Sequence, residues 1–455
     1  MPFSDHVVAV FGGAVSGAEA AWQLATRGVQ VVVFEQNKLP YGKIEDGLPK
    51  WHVRLRDKEE ARIDQKLTHP NVIFVPAIKL GRDLDFEDIA RNWGFSAILL
   101  AIGAWRDRPL PIPGVDQYIG KGLCYQNAFM YWFNHMHEPN YDGPKCQIED
   151  GAIVVGGGLA SIDVCKAIMM SLVEARLRQR GIETHLFELD KGIDRVLQRH
   201  GLRFEDLQLQ GCTLFYRRRI EDMPLTPMDT STPELLAKAQ LVRKKVLTHA
   251  MQKFFFKVAL QHVPVDKLVA DDRLAGLVFC RTQLQEDGRA VAIPGSERPV
   301  QAPLVVSSIG SIPEVIGGIP MQGQTYKLVA DDCCMLDGFE HVFVIGNALT
   351  GRGNINESLK HGRIVSEALA NYYLNDDEAA IAAAIQRAEE KISSGLVRIL
   401  RRIGKRKPPD ASTRQRIFEK VKALQRQVGY DGQYTQWIER HRPIRLEEML
   451  GLMHE

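Results

Sequence analysis

The sequence predicts an α/β protein made of two units of the same kind, one inserted in the other, with a helical C-terminal extension. Three observations carry this expectation. A strand-like apolar run, a glycine-rich turn and a helix follow one another at residues 7–27 and again at 152–180. Short apolar runs ending in glycine recur at 97–103, 304–310 and 342–346. The 455 residues also exceed what one core ordinarily holds, since single cores stop growing at about 250–300 residues.

The first element is the run Val7 to Phe11 (VVAVF), apolar and β-branched like a strand buried on both faces. It leads into Gly12, Gly13, Ala14, Val15, Ser16 and Gly17. Helical composition follows to Arg27, Gly28 stops it, and a second strand at 29–34 ends in Glu35. The first glycine suits a tight turn and the last lets helix pack on strand. The helix start offers N–H groups to a pyrophosphate, and the acid accepts hydrogen bonds from a ribose diol. This is a Rossmann-like dinucleotide turn in which Ala14 replaces the middle glycine.

The pattern repeats with a strand at 152–155 and the turn Gly156, Gly157, Gly158, Leu159, Ala160, Ser161, followed by a helix from Ile162 to about Arg180. The strand expected to play the partner role, 212–216 (CTLFY), ends in Arg217, Arg218 and Arg219 instead of an acid. Arginine cannot accept from a ribose diol but pairs well with a 2′-phosphate dianion. The second unit is therefore expected to prefer NADP over NAD, the alternative being a solvated basic turn. An acid in one unit and arginines in the other suit FAD and NADPH as the two cofactors.

The glycine-ended strands place the boundaries. The NADP-binding domain is expected at 118–300, inserted in a FAD-binding domain at 1–117 and 301–374, with the run 304–310 among the strands where the first domain resumes. Gly114 and Gly120–Gly122 mark one crossing, and Pro294, Gly295 and Pro299 the other. A helical extension is expected at 375–455: an Ala-rich helix at 378–400, a basic run at 401–407 and a further helix at 413–428. Either this tail packs on the protein's own surface, or its basic run docks an acidic partner.

Composition narrows the rest. A hydrophobic fraction of 45%, a charged fraction of 25% and a net charge of +2 are those of a globular protein with no whole-chain pull toward nucleic acid or membrane. No aromatics interleave with the basic run, which argues against stacking on bases. No run approaches the roughly 18–20 apolar residues of a membrane span, and the N-terminal stretch lacks secretory-signal features, so a cytoplasmic location is expected. Seven scattered cysteines without a CxxC argue against a disulfide framework, a metal site or a dithiol redox centre. Cys333 and Cys334 read as two reduced thiols near a strand.

With these residues in place, the chain resembles the adrenodoxin reductase and glutamate synthase small-subunit branch of two-dinucleotide flavoproteins. The markers are Pro40-Tyr41-Gly42 through His52, Ile112-Pro113-Gly114, Gln126 to Phe129 before Trp132, residues 156–163, and Tyr216-Arg217-Arg218 with Met223-Pro224. The resemblance implies bound FAD, NADPH as hydride donor, and electron passage to an iron–sulfur protein such as ferredoxin. A larger glutamate synthase-like assembly and a non-catalytic flavin-binding module are the alternatives.

Position by position, the resemblance puts Gly12, Ala14, Gly17 and Glu35 on the adenosine side of FAD. It puts Gly42 and Gly47 in the loop along the flavin, with Gly103, Gly346, Asn354 and Ile355 at its other contacts. Gly156, Gly158, Leu159 and Ala160 match the NADPH pyrophosphate turn, and Arg217 and Arg218 the 2′-phosphate ligands. His52 and Asp163 match residues associated with proton handling, and Glu234 an acid near the ribose; no metal ligand is implied. Departures from the family pattern fall at Ala14, Ile102 and Asn347, and at Lys43, Glu45 and Asp46 in the flavin loop.

Overall fold

The computed structural model describes residues 5–330, 333–351, 353–374 and 406–452. Among them, the chain up to Leu48, His52–Arg106 and the residues from Ser311 onward form one compact unit, and Pro49–Trp51 with Asp107–Gly310 form the other.

The first unit is built on a five-stranded parallel sheet in the order Val342–Val344, Ala97–Leu100, Val7–Phe11, Gln30–Phe34, Val72–Val75. Val10 sits between Val33 and Leu99. Alternate residues serve opposite cores: Val8, Val10, Val31, Val33 and Leu99 join one, while Val7, Ala9, Phe11, Val32 and Phe34 join the other. Successive strand residues point to opposite faces, and both faces here are covered. That is why the sequence reads as unbroken apolar runs. On the first core lies the helix Val15–Ala25, whose alanines permit close packing, as does Gly362 on the helix Ile355–Ala368. A β-carbon at Gly362 would stand 2.5 Å from the Ser16 carbonyl oxygen.

The second unit has its own five-stranded parallel sheet in the order Leu123–Tyr125, Val305–Ser308, Ile153–Gly156, Thr213–Tyr216, Lys257–Leu260. Here the expectation from sequence is corrected. The run at 304–310 belongs to this sheet and not to the first, with Val306 paired to Cys124 on one side and Val154 on the other. A buried parallel strand carries no mark of which sheet it enters, because either sheet satisfies its apolar faces.

The sequence also gave no warning of an antiparallel sheet, built from His262–Ala270, Arg273–Leu284, Ala290–Ala292 and Arg298–Gln301. It packs on the parallel sheet through Leu274, Leu277 and Phe279, with Phe279 stacked on Phe215 at 3.9 Å between ring centres.

The Ala-rich helix expected at 378–400 lies outside the described residues, as does most of the basic run. The next expected helix is present as Ala411–Gln427, its start capped by the Asp410 carboxylate accepting from the Thr413 amide at 2.7 Å. Ile417 and Val421 are buried in one core of the first unit, and Tyr430, Tyr434, Trp437 and Ile438 in the other. The tail is therefore part of that unit's interior. No helix among the described residues is long and apolar enough to cross a membrane.

Candidate cofactor sites

In the first unit every strand of the sheet is parallel, so the turns after Phe11, Phe34, Leu100 and Val344 gather at one edge, where such sheets bind ligands. Gly12, with φ +100°, admits no side chain: a β-carbon would lie 2.5 Å from the Ala101 carbonyl oxygen. At Gly17 it would fall 1.8 Å from the Gly12 oxygen, so strand and helix meet there on bare backbone. Ala14 precedes the helix Val15–Ala25 without a side-chain cap, which leaves the first-turn amides to serve a phosphate.

Glu35, 3% exposed, binds both shoulders of this turn. One carboxylate oxygen accepts from the Gly13 amide at 2.8 Å and the other from the Asn37 amide at 2.9 Å. Burial pushes its pKa up to about 7, although the Asn37 and Gly13 amides pull the other way. A carboxylate has about four acceptor sites, more than these amides use, which leaves capacity for a ribose hydroxyl.

Gly42 has φ +52°, and its α-carbon faces the Ala14 methyl and Trp105: a β-carbon would stand 3.0 Å from one and 3.8 Å from the other. Gly103, at φ +70°, also faces Trp105. At Gly346 (φ +67°) a β-carbon would be 2.3 Å from the Ser16 hydroxyl oxygen, so the glycine can sit over the helix start. Six of the residues assigned to FAD, namely Gly12, Ala14, Gly17, Gly42, Gly103 and Gly346, are thus linked by direct neighbours.

Others serve differently. Gly47 ends the one-turn helix Lys43–Asp46 with an ordinary φ of −120°. The Asn354 side chain caps the helix Ile355–Ala368, accepting from the Asn356 amide at 2.9 Å, and Ile355 packs against the core. His52 precedes the helix Val53–Leu67, its carbonyl accepting from the Arg56 amide at 2.9 Å.

Sequence reasoning missed two residues here. His361 accepts the Gly346 amide on Nδ1 at 3.0 Å, and burial holds its pKa below the ordinary value, so the neutral ring is the form that fits. Glu19, 1% exposed, ties three helices together through Lys66 and Arg363, each at 2.8 Å. A histidine and an acid inside helical patterns gave no signal of either role.

In the second unit the turn is equally tight. A β-carbon at Gly156 would strike the Ser161 hydroxyl at 2.2 Å and the Ser308 carbonyl at 2.4 Å. Ser161 Oγ donates to that carbonyl at 3.1 Å, which gives a small hydroxyl a role at the place of the third glycine in the dinucleotide pattern. Gly157 lies flat on Tyr216, where a β-carbon would be 2.2 Å from the ring. Gly158 precedes the helix Leu159–Arg178 without a side-chain cap, and Leu159 and Ala160 are exposed, leaving the helix start accessible.

The three arginines divide. Arg219 is committed to Asp222, donating at 3.0 and 3.2 Å. Arg217 is exposed, and Arg218 is half-buried with its Nε lacking a hydrogen-bond partner. Arg243, another residue that sequence reasoning missed, donates to the Glu221 carbonyl and also has an unpartnered buried Nε. Arg217, Arg218 and Arg243 all act electrostatically on Tyr216. A cluster of cations with orphaned donors fits an anionic group.

Asp163 keeps a quarter of its side-chain surface, yet protein crowds it enough that burial pushes its pKa up to about 6, against the pull of Lys166 at 3.7 Å. Lys166 also reaches Asp190 at 3.3 Å. Glu234 is exposed at the start of the helix Pro233–Phe254. Finally, the Cys124 and Cys146 sulfurs lie 2.6 Å apart, a contact between residues 22 apart that cysteine spacing did not announce. None of the seven cysteines is joined in a disulfide.

No protein-family profile matches the chain. It is similar to the glutamate synthase [NADPH] small chain of Mycobacterium tuberculosis, 30% identical over 196 residues that make up 41% of this chain and 36% of that one. The NADPH-Fe(3+) oxidoreductase subunit beta of Geobacter sulfurreducens is 25% identical over 325 residues, 69% of this chain and 38% of its own. The NADPH-ferredoxin reductase FprA of Mycobacterium leprae is 24% identical over 180 residues, 37% of each chain. The matches thus span little more than a third of these relatives' lengths.

Among solved structures, Mycobacterium tuberculosis FprA in complex with NADPH superposes with a TM-score of 0.64 at 18% identity, covering 92% of this chain and 90% of that one. The resemblance read from the sequence is borne out, and the fold is that of FprA.

Proposed function

We propose that the protein is an NADPH oxidoreductase that holds FAD in its first unit and delivers electrons to an iron–sulfur protein such as ferredoxin. One observation carries this reading: two glycine turns of the same build have partners of opposite charge. Buried Glu35 braces one, and Arg217 and Arg218 follow the Tyr216 ring that covers the other. Acid and arginine at the same topological position select a ribose diol and a 2′-phosphate respectively.

On this reading the first-turn amides after Ala14 hold the FAD pyrophosphate, Glu35 its adenosine ribose, and the loop around Gly42 lies along the flavin with Gly103 and Gly346. The Gly156–Ser161 turn holds the NADPH pyrophosphate. Bound FAD supplies a carrier that takes two electrons as a hydride and releases them one at a time. The protein's own share is positioning, together with proton handling by Asp163, whose pKa of about 6 lets it hold or release a proton near neutrality, and by His52. The names of the similar proteins, NADPH-ferredoxin reductase and NADPH-Fe(3+) oxidoreductase, support both donor and acceptor class.

A second reading, an NADPH-oxidising subunit of a larger enzyme, is favoured by relatives that are themselves a small chain and a subunit beta. Co-purification of a large iron–sulfur partner from the native source selects it.

The test of the NADPH assignment is the pair Arg217→Ala and Arg218→Ala. Each charged hydrogen bond to the extra phosphate contributes about 1.5–3 kcal/mol. The double variant is expected to raise KM for NADPH by roughly a hundredfold or more while leaving NADH kinetics alone. Unchanged NADPH kinetics would remove the assignment.

A further inference from the structure

The charges of the loop Lys43–Asp46, which depart from the family pattern, have a counterpart at the far end of the chain. The Arg445 guanidinium donates to Glu45 at 2.5 Å and to Glu60 at 2.8 Å, with all three side chains at most 10% exposed. Two residues on, Glu447 pairs with buried Arg56. Upstream in the tail, Trp437 Nε1 donates to the Lys38 carbonyl at 2.7 Å. Tyr434 donates to Asp64 at 2.7 Å, and the same carboxylate receives the Tyr41 hydroxyl at 3.1 Å. Tyr41 and Ile44 of the loop share one core with Tyr430, Tyr434, Trp437 and Ile438 of the tail.

The geometry points to the segment 430–449 as a strap that fixes the loop 38–47, with Arg445, Trp437 and Tyr434 as positioning residues for the flavin held there. This rests on the reading of that loop as the flavin loop. Three grips fall within eight loop residues: a backbone carbonyl at Lys38, the Tyr41 hydroxyl through Asp64, and the Glu45 carboxylate. The glycine at 42 needs that support. Its φ of +52° places bare backbone against Ala14, and a loop free to slide by a residue would lose the approach. A buried guanidinium between two carboxylates also defines one register, because removing either partner strands a charge away from water. Arg445 acts through Glu45 and Glu60 and is therefore assigned as a positioning residue and not a catalytic one.

The experiment separates the grip from its consequence. Hydrogen exchange of the amides at 43–48 is measured in flavin-free wild type, Arg445→Met and Trp437→Phe, and FAD affinity is measured by quenching of flavin fluorescence. Trp437→Phe keeps an aromatic ring but loses the bond to Lys38, and it carries the test should Arg445→Met not fold. The expected result is at least tenfold faster exchange in the loop and at least tenfold weaker FAD binding. The triple variant Arg445→Met, Glu45→Gln, Glu60→Gln, which removes the charges together, is expected to recover part of both. Exchange in the loop that stays at the wild-type rate in both variants overturns the strap. Faster exchange with unaltered FAD affinity overturns the link to the flavin, and with it the reading of the loop, while the grip stands.

Discussion

At the scale of single residues, the candidate sites depend on backbone approached too closely for a side chain and on carboxyls held against their ordinary ionisation. Gly157 is a case of the first. Alanine there would press a methyl into the Tyr216 ring, at 2.2 Å before relaxation, and must displace it. Overpacking of this kind costs about 1–3 kcal/mol. Gly157→Ala is expected to weaken NADPH binding at least tenfold, read as a rise in the dissociation constant in a direct titration.

Glu35 is the case of the second. Its folded pKa of about 7 lies above the ordinary 4.5, so its contribution to stability is complete below pH 4.5 and is lost as pH rises through 7. A displacement of that size is worth on the order of 3 kcal/mol. Flavin-free wild type is expected to lose urea resistance between pH 5 and 7.5 more steeply than Glu35→Gln, as measured by the two unfolding midpoints. Asp163, with a pKa of about 6, belongs to the same class. If it exchanges the proton in turnover, Asp163→Asn removes a transition near pH 6 from the pH profile of NADPH oxidation, and an unchanged profile rules the role out.

At the scale of elements, the strand–turn–helix pieces were legible because each is local. Val7–Phe11 and Ile153–Gly156 announce themselves as apolar runs, and the glycines after them mark where backbone approaches backbone. What decides partnership is not local. The strand Val305–Ser308 has the same character as Ala97–Leu100, and only the register with Val154 and Cys124 reveals its sheet. The antiparallel sheet escaped notice because its strands alternate weakly. His262–Ala270 mixes buried, half-buried and exposed positions without a clean period of two.

In the candidate sites, the glycines of the two strand–turn–helix motifs, Glu35 and the arginine run follow from spacing, while Gly42, Gly47, Gly103 and Gly346 were placed by the resemblance. His361, Glu19 and Arg243 could not, since each lies on a helix and meets its partners only through the fold. The tail was legible as helix but not as core. Trp437 is 5% exposed amid Tyr430, Tyr434 and the sheet-facing apolar cluster. Truncating a buried aromatic costs about 3–5 kcal/mol. Trp437→Ala is expected to lower unfolding stability by that amount in a denaturant titration, and a loss under 1 kcal/mol would mean the tail is dispensable to the core.

At the scale of the whole molecule, the proposed function has two units of one design reading two dinucleotides through opposite charges. The near-neutral balance of the chain leaves binding to local arrangements and not to its overall field. On that proposal each site lies at the carboxyl edge of a parallel sheet, with glycines where the ligand would approach and a polar side chain at the neighbouring strand to choose between ribose and phosphate. The most direct measurement is an anaerobic spectral titration of the purified protein with NADPH and, separately, NADH. The expected result is a yellow protein whose flavin absorbance bleaches with about one equivalent of NADPH, because a hydride carries two electrons to one FAD, with NADH required at far higher concentration. A protein that purifies and reconstitutes without flavin, or one reduced equally well by both nucleotides, would contradict it.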